Sequence, residues 1–399
     1  MATLKSADLA GVRVCIVYDC LFPWTAGGAE RWYRELAEYL PAAGANVRYL
    51  TRLQWTAANV PEIPGVEVVV VAPEAELYEA DGTRKVRPPL RFGWGVFLWF
   101  VRHRRDVDVV HVANFPFFSL IAARLALVGS GAEIYVDWHE VWPRRFWETY
   151  AGRCAGALGF FIQELCVRLT QHALVFWSHN GERLRQHGYK SDITTLAGLV
   201  PQIPIRVASS TARSGTPTVL FVGRLIQDKG VRLLPEMLQL ALRFQPDLRL
   251  VVVGTGPEEA LVRAAFSEFG IADHVDLLGT VLDGELERLR SAASCSIVAS
   301  TREGYGISAV ESLAVGTPII VASNPENLAV HHVVEGVNGF VVEPSPAGLA
   351  NGVRLAIETG DELRISTRNW FLEHAPSMTV DNSLREVVTL YTTRATRRS

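Results

Sequence analysis

Short apolar runs separated by longer stretches of helical spacing recur along the whole chain. The run VRVCIVYDC (12–20) is apolar and β-branched, and AERWYRELAEYL (29–40) places Trp32, Leu36, Tyr39 and Leu40 at helical intervals. Strand, glycine loop, helix is the first unit. Further buried-strand candidates are VEVVVVA (66–72), VDVVHVA (107–113) and AEIYVDW (132–138), with helix-compatible stretches between them. Continuous apolar strands alternating with helices predict a parallel sheet covered on both faces. The same grammar restarts with TVLFVG (218–223), LRLVVVG (248–254), HVDLLG (274–279), CSIVAS (295–300) and TPIIVAS (317–323). Between the halves, VPQIPIRVASSTARSGTPT (200–218) is rich in Pro, Ser, Thr and Arg, lacks periodicity and reads as a linker. The tail SLREVVTLYTTRATRRS (383–399) reads as one last helix with a basic end. The expected fold class is α/β: two doubly wound, Rossmann-like domains at 1–205 and 206–375, followed by a C-terminal helix within 376–399.

Composition narrows the field. A chain of 399 residues, 49% hydrophobic, can bury two cores. Its 39 basic and 42 acidic residues give a net charge of -3, so no global basic field exists to hold nucleic acid or an anionic membrane. The five cysteines, Cys15, Cys20, Cys154, Cys166 and Cys295, form no CxxC pair and fit a reducing cytoplasm. MATLKSADLAG lacks a basic region followed by an apolar run, and no stretch reaches the ~18 apolar residues of a spanning helix. The expectation is a cytoplasmic protein, soluble or at most attached to the inner membrane surface.

Doubly wound sheets bind ligands beyond the carboxyl ends of their strands, so the loops after the runs carry the chemistry. In TREGYGISAVESLAVG (301–316) two carboxylates, Glu303 and Glu311, flank a Gly-Tyr-Gly turn. Ser308 and Glu311 fit the S-x-x-E capping box, which gives Glu311 a purely local explanation. Glu303 has none; it precedes Gly304 and Gly306, which permit close backbone approach to a ligand, and the helix start offers N–H groups to a phosphate. Arg224 and Lys229, with Gly223 and Gly230 beside them, are either phosphate-binding cations or a solvated surface pair. His139 follows its strand and is either a cleft contact or a structural histidine, while Trp138, Trp142 and Trp147 either stack on a ligand or pack a core.

These motifs together resemble the retaining nucleotide-sugar glycosyltransferases of the GT-B fold, the large group called family 4. The resemblance rests on REGYGISAVESLAVGTPIIVAS (302–323) with its E-x7-E spacing, FVGRLIQDKG (221–230), GTGPE (254–258), GGAER (27–31) and VNGFVVEP (337–344), five stretches in order over most of the chain. It implies two domains facing across a cleft, with the acceptor on the N-terminal side, the nucleoside diphosphate-sugar on the C-terminal side, and the last helix packing back on the N-terminal domain. It also implies front-face transfer with retention, in which neither glutamate is a nucleophile. Arg224 and Lys229 then contact the diphosphate, Glu311 the ribose, Glu303 the transferred sugar, and His139 the donor sugar and acceptor. The amides of Gly304, Tyr305, Gly306, Ile307 and Ser308 are implied contacts to phosphate and sugar, Gly27 and Gly28 lie against the diphosphate, and Gly223 and Gly254 border the nucleotide. Charge argues for this chemistry too, since positioned cations stabilise a diphosphate leaving group. The acceptor is a carbohydrate, a lipid-linked glycan or a small molecule. Alternatives are a sugar-nucleotide epimerase, a phosphorylase, a non-catalytic nucleotide-sugar binder or, from the incomplete glycine fingerprint GTGPEEA, a dehydrogenase.

Other signals carry less. Asp106 and Asp108 spell a D-x-D, but at the amino end of a strand, away from any ligand, and the fold usually needs no metal; neither metal nor cofactor is expected. His331–His332 has no spaced carboxylate or cysteine partner. LRFGWGVFLWFVRHRR (90–105) is a helix whose apolar residues nearly encircle it, suited to core packing or to rest on a membrane.

Overall fold

The computed structural model describes residues 9–25, 27–77, 85–169, 171–200 and 215–395. Two compact units result: Met1–Leu199 with Val380–Ser399, and Val200–Thr379. Most of the expected linker, 201–214, lies outside the described residues.

The first unit runs β1 (Arg13–Val17), α1 (Gly28–Ala42), β2 (Asn46–Arg52), β3 (Val66–Ala72), α2 (Arg87–His103), β4 (Val109–Ala113), α3 (Phe117–Ala126), β5 (Glu133–Asp137), α4 (Arg144–Ala151), α5 (Arg153–Arg168), β6 (His172–Val175), α6 (Ser178–Gln186) and β7 (Ile193–Thr195). Its seven parallel strands lie in the order β3-β2-β1-β4-β5-β6-β7. Val110, Val112, Ile134 and Val136 pack against Phe92, Val96, Phe100 and Leu120 of the covering helices.

The second unit runs β8 (Thr218–Val222), α7 (Leu234–Ala241), β9 (Arg249–Val253), α8 (Glu259–Glu268), β10 (Val275–Gly279), α9 (Asp283–Ala292), β11 (Cys295–Val298), β12 (Arg302–Glu303), α10 (Ile307–Ala314), β13 (Ile319–Ala322), β14 (Glu326–Asn327), β15 (Gly339–Val342), α11 (Pro346–Thr359) and α12 (Asp361–His374). The six-stranded parallel order is β10-β9-β8-β11-β13-β15. Both units are doubly wound α/β sheets.

The last helix, α13 (Val380–Ala395), packs on α1 of the first unit. The Ser383 hydroxyl accepts from Gly198 N at 2.9 Å, and the Leu390 carbonyl accepts from Tyr135 Oη at 3.3 Å.

The apolar runs mark nine strands; most overshoot the strand's end, their last residues leaving the ladder as loop, whereas VEVVVVA, VDVVHVA and HVDLLG end with β3, β4 and β10. Strands β2, β6, β7, β12, β14 and β15 escape the pattern. NVRYLTR (46–52) mixes arginines with apolar residues, one of them, Arg48, bonding Glu67 of the neighbouring strand at 2.8 Å, and HALV (172–175) is short.

Candidate functional site

In the second sheet the chain reverses direction of winding between β8 and β11, which pair directly, Cys295 opposite Val219. Such a switch point is where loops diverge and leave room for a ligand. The loops leaving these two strands are tied together: Thr301 N donates to the Asp228 carbonyl at 2.8 Å, and Arg302 bonds the Asp228 carboxylate at 3.2 Å. Lys229 and Glu303 thereby meet. Lys229 Nζ pairs with Glu303 Oε2, the same oxygen that accepts from the Ser300 hydroxyl at 3.1 Å. Arg224 is exposed on the same loop, and its neighbour Leu225 bonds the Thr255 carbonyl at 2.9 Å. The loop after β9 therefore joins the other two.

Gly254 explains how. A Cβ there would lie 1.9 Å from the Gly223 carbonyl oxygen, so these two glycines mark a close approach of backbones.

The capping box expected at Ser308 and Glu311 is absent. Gly306 caps α10 in a left-handed conformation, φ 85°, and no side-chain hydrogen bond caps the first turn; Ser308 sits two residues past the cap position, inside the helix. A Cβ on Gly306 would also press on Ala329 at 2.7 Å. Glu311, one turn further in, pairs instead with Arg290 of α9, and both side chains are largely buried. The chain past Gly304 thus presents the uncapped start of α10 beside Lys229 and Glu303. The Tyr305 ring is buried edge-on against His332 at 5.0 Å, leaving its backbone as the part able to meet a ligand. His332 Nε2 donates to the Tyr305 carbonyl at 2.8 Å, and burial lowers its pKa to about 4. That histidine is a neutral brace for the turn.

In the first unit the switch point falls between β1 and β4. The loop from β1 ends at Gly27 and Gly28, the start of α1, with no side-chain cap. Glu30 lies against Gly27, where an added Cβ would meet its carboxylate at 2.3 Å. The helix start thus already has one negative group nearby. His139, two residues past β5, is half-buried, stacked on Phe176 at 5.3 Å and edge-on to Tyr33 at 6.4 Å. Its Nε2 is shielded from solvent and has no hydrogen-bond partner among the described residues. Burial lowers its pKa, against the pull of Asp137 and Glu140, so the ring is neutral at pH 7.

Beneath His139 lies a buried polar chain that the sequence reading missed. Asp137 Oδ2 accepts from Trp32 Nε1 at 2.7 Å and bonds His111 Nε2 at 2.8 Å, while His111 Nδ1 meets the Tyr391 hydroxyl of α13 at 2.5 Å. Burial opposes the Asp137 charge, but His111, His139 and the Tyr33 hydroxyl outweigh it and hold the carboxyl below its ordinary range. The available signal was His111 itself, a lone polar residue inside the apolar strand VVHVA.

The tryptophans resolve to core packing. Trp138, Trp142 and Trp147 are buried, their indole N–H groups donating to Gln171 at 3.1 Å, Glu140 at 2.6 Å and Gln163 at 3.1 Å. Asp108 is occupied by Arg13 at 2.7 and 2.9 Å. Among the described residues no group of three His, Cys, Asp or Glu side chains could hold a metal ion.

Residues 203–369 match the family described as Glycosyl transferases group 1, and residues 27–197 the Glycosyl transferase 4-like domain. A D-inositol 3-phosphate glycosyltransferase of Jonesia denitrificans is 31% identical, the match covering 92% of this chain and 91% of that protein. Against other curated relatives the match is shorter, spanning 44% and 43% of the length of two of them and 75% of a phosphatidyl-myo-inositol mannosyltransferase of Mycobacterium leprae. Among solved structures, sucrose-phosphate synthase from Thermosynechococcus elongatus superposes with a TM-score of 0.77 at 18% identity, covering 97% of this chain and 100% of that one. HepE of Anabaena, solved with UDP and glucose, gives 0.69 at 16% identity, covering 96% and 100%.

Proposed function

Because the chain belongs to the glycosyl transferases group 1 family and has the two-unit GT-B fold, we propose that it moves a sugar from a nucleoside diphosphate-sugar to an acceptor hydroxyl, with retention at the anomeric carbon. The observation that carries this reading is the Lys229–Glu303 pair at the switch point of the second sheet. A cation and a carboxylate side by side suit the two halves of such a donor, phosphate on one side and sugar hydroxyls on the other.

On this reading Arg224 and Lys229 neutralise the departing diphosphate, a role that grows in value as its negative charge develops. The uncapped start of α10, from Gly304 to Ser308, adds backbone N–H groups. Glu311 accepts the ribose hydroxyls, Glu303 those of the transferred sugar, and Gly223 and Gly254 let the neighbouring backbone approach the nucleotide. His139, neutral at pH 7, meets a sugar hydroxyl, and Gly27 and Gly28 lie against the diphosphate. The acceptor oxygen attacks the anomeric carbon from the leaving-group side; the bond to the diphosphate breaks, and a diphosphate oxygen takes the acceptor proton. Two side-chain cations supply the charge a divalent ion would otherwise bring, so the reading calls for no metal or cofactor. UDP bound to HepE supports a nucleoside diphosphate donor, and the name of the Jonesia relative a phosphorylated polyol as one acceptor class. The five free cysteines fit a cytoplasmic setting.

A panel of UDP- and GDP-sugars, assayed for released nucleoside diphosphate with and without polyol and lipid-linked acceptors, tests the reading. Acceptor-dependent release with the donor's anomeric configuration kept in the product is expected. Binding without transfer, or an inverted product, rules it out.

A further inference from the structure

We propose that the outer face of α2, α3 and α5 docks the protein onto an anionic lipid surface. The three helices lie on one face of the seven-stranded sheet: α2 packs on α3, α3 packs on α5, and Phe100, Leu120 and Cys166, one from each, join a single core. α2 and α5 each also carry a second apolar row, on the side away from that core. On α2, Leu90, Trp94 and Val101 are exposed at helical spacing, Trp94 to 62%, with its ring stacked on Phe97 at 5.6 Å. On α5, Leu158, Phe161 and Leu165 repeat at intervals of three and four, Phe161 exposed to 65%. Leu125 and Val128, at the end of α3, are exposed as well. Single exposed apolar residues are ordinary; rows on the two helices that flank α3, with Leu125 and Val128 exposed at its end, are not.

Charge selects the occupant. From Lys85 through Arg105 there is no acidic residue, while Arg87, Arg91, Arg102, Arg104 and Arg105 fall within that stretch. On α5 the single acid, Glu164, is held by Arg168 at 2.9 Å and by His187. The chain as a whole carries a net charge of -3, so this positive face is a local arrangement. A second copy of the same face would bring arginine against arginine. An anionic bilayer matches both features, with apolar rows entering the headgroup layer, the Trp94 ring at the interface, and arginines reaching phosphates along their apolar stems. No helix among the described residues is long and apolar enough to cross a membrane, so the contact is peripheral.

The inference does not depend on sugar transfer, because lipid binding is read without substrate. The full chain is sedimented with vesicles of phosphatidylcholine alone, and of phosphatidylcholine and phosphatidylglycerol in equal parts. Binding to the anionic vesicles, weakened by salt, is expected, with a loss of roughly tenfold or more both in W94S/F161S and in R91E/R102E. Leu282→Ser, at a position 81% exposed on the second unit, serves as control and leaves binding unchanged. All variants should keep the parent melting temperature, since the altered side chains lie outside the core. Equal binding to neutral vesicles, or binding to neither, overturns the proposal. So does a dimer seen by light scattering that W94S/F161S dissociates, which would make this face a contact between copies.

Discussion

Lys229 and Glu303 stand 74 residues apart in sequence and form an ion pair between the two central loops of the second sheet. Neither loop would place its charge there alone. The Asp228 carbonyl receives the Thr301 amide at 2.8 Å, and the Asp228 carboxylate receives Arg302 at 3.2 Å, so contacts other than the pair also hold the loops to each other. The pair joins the two groups that the proposed donor would separate, its diphosphate drawing the ammonium and its sugar hydroxyls the carboxylate.

Glu311 links donor binding to folding, since either change in its pair with Arg290 leaves a buried charge without that counter-charge. Glu311→Gln keeps the shape and removes the charge that would accept two ribose hydroxyls, so KM for the donor should rise roughly tenfold or more while kcat changes little. Arg290→Leu leaves the Glu311 carboxylate buried without its partner and should cost about 3 kcal/mol of stability in a denaturant titration.

Folding stability should decline as the solution becomes acidic, and His332 should be one cause. Its pKa falls from 6.5 to about 4 on burial, so the unfolded chain takes up the proton first. Stability from this group is complete above pH 6.5 and lost as pH falls toward 4, by about 3 kcal/mol at the lower limit. His332→Gln, whose amide can still donate to the Tyr305 carbonyl, should flatten the slope of unfolding free energy between those limits.

His139 should leave the turnover profile flat around neutrality. Burial depresses its pKa, so protonation of the ring sets in only below the ordinary histidine range and kcat should stay level from mildly alkaline pH to neutrality. His139→Ala should reduce kcat by roughly a hundredfold, and His139→Gln by less, because the amide retains a hydrogen-bonding group.

Tyr391 ties the last helix to the buried chain under β5. Tyr391→Phe removes the hydroxyl 2.5 Å from His111 Nδ1 and should lower the stability of the first unit by roughly 1–2 kcal/mol, read by thermal melting. Asp137→Ala should cost more, since Trp32 and His111 both lose a buried partner.

The doubly wound fold was legible because parallel strands buried on both faces read as unbroken apolar runs. TVLFVG and CSIVAS even announce the two strands whose loops carry Lys229 and Glu303. Strands such as NVRYLTR, which mix polar and apolar residues, gave no such signal. The capping box failed for a physical reason: S-x-x-E spacing specifies a cap only if Ser stands outside the helix, and the left-handed Gly306 moved the helix start one residue ahead of Ser308. Arg290 was invisible, since nothing local in DGELERLRSA distinguishes an arginine aimed at Glu311 from its exposed neighbour Arg288. Helix α2 showed its apolar encirclement in sequence, and the structure divides that ring into Phe92, Val96 and Phe100 inside and Leu90, Trp94 and Val101 outside.

Calorimetric titration of UDP and GDP into the parent protein, Lys229→Ala and Glu303→Ala, with turnover of the corresponding nucleoside diphosphate-sugars measured on the same samples, tests the central claim most directly. Lys229→Ala should lose both affinity for the diphosphate and roughly a hundredfold in kcat/KM, whereas Glu303→Ala should keep nucleoside diphosphate affinity and lose turnover. Undiminished binding and turnover in Lys229→Ala would contradict the account.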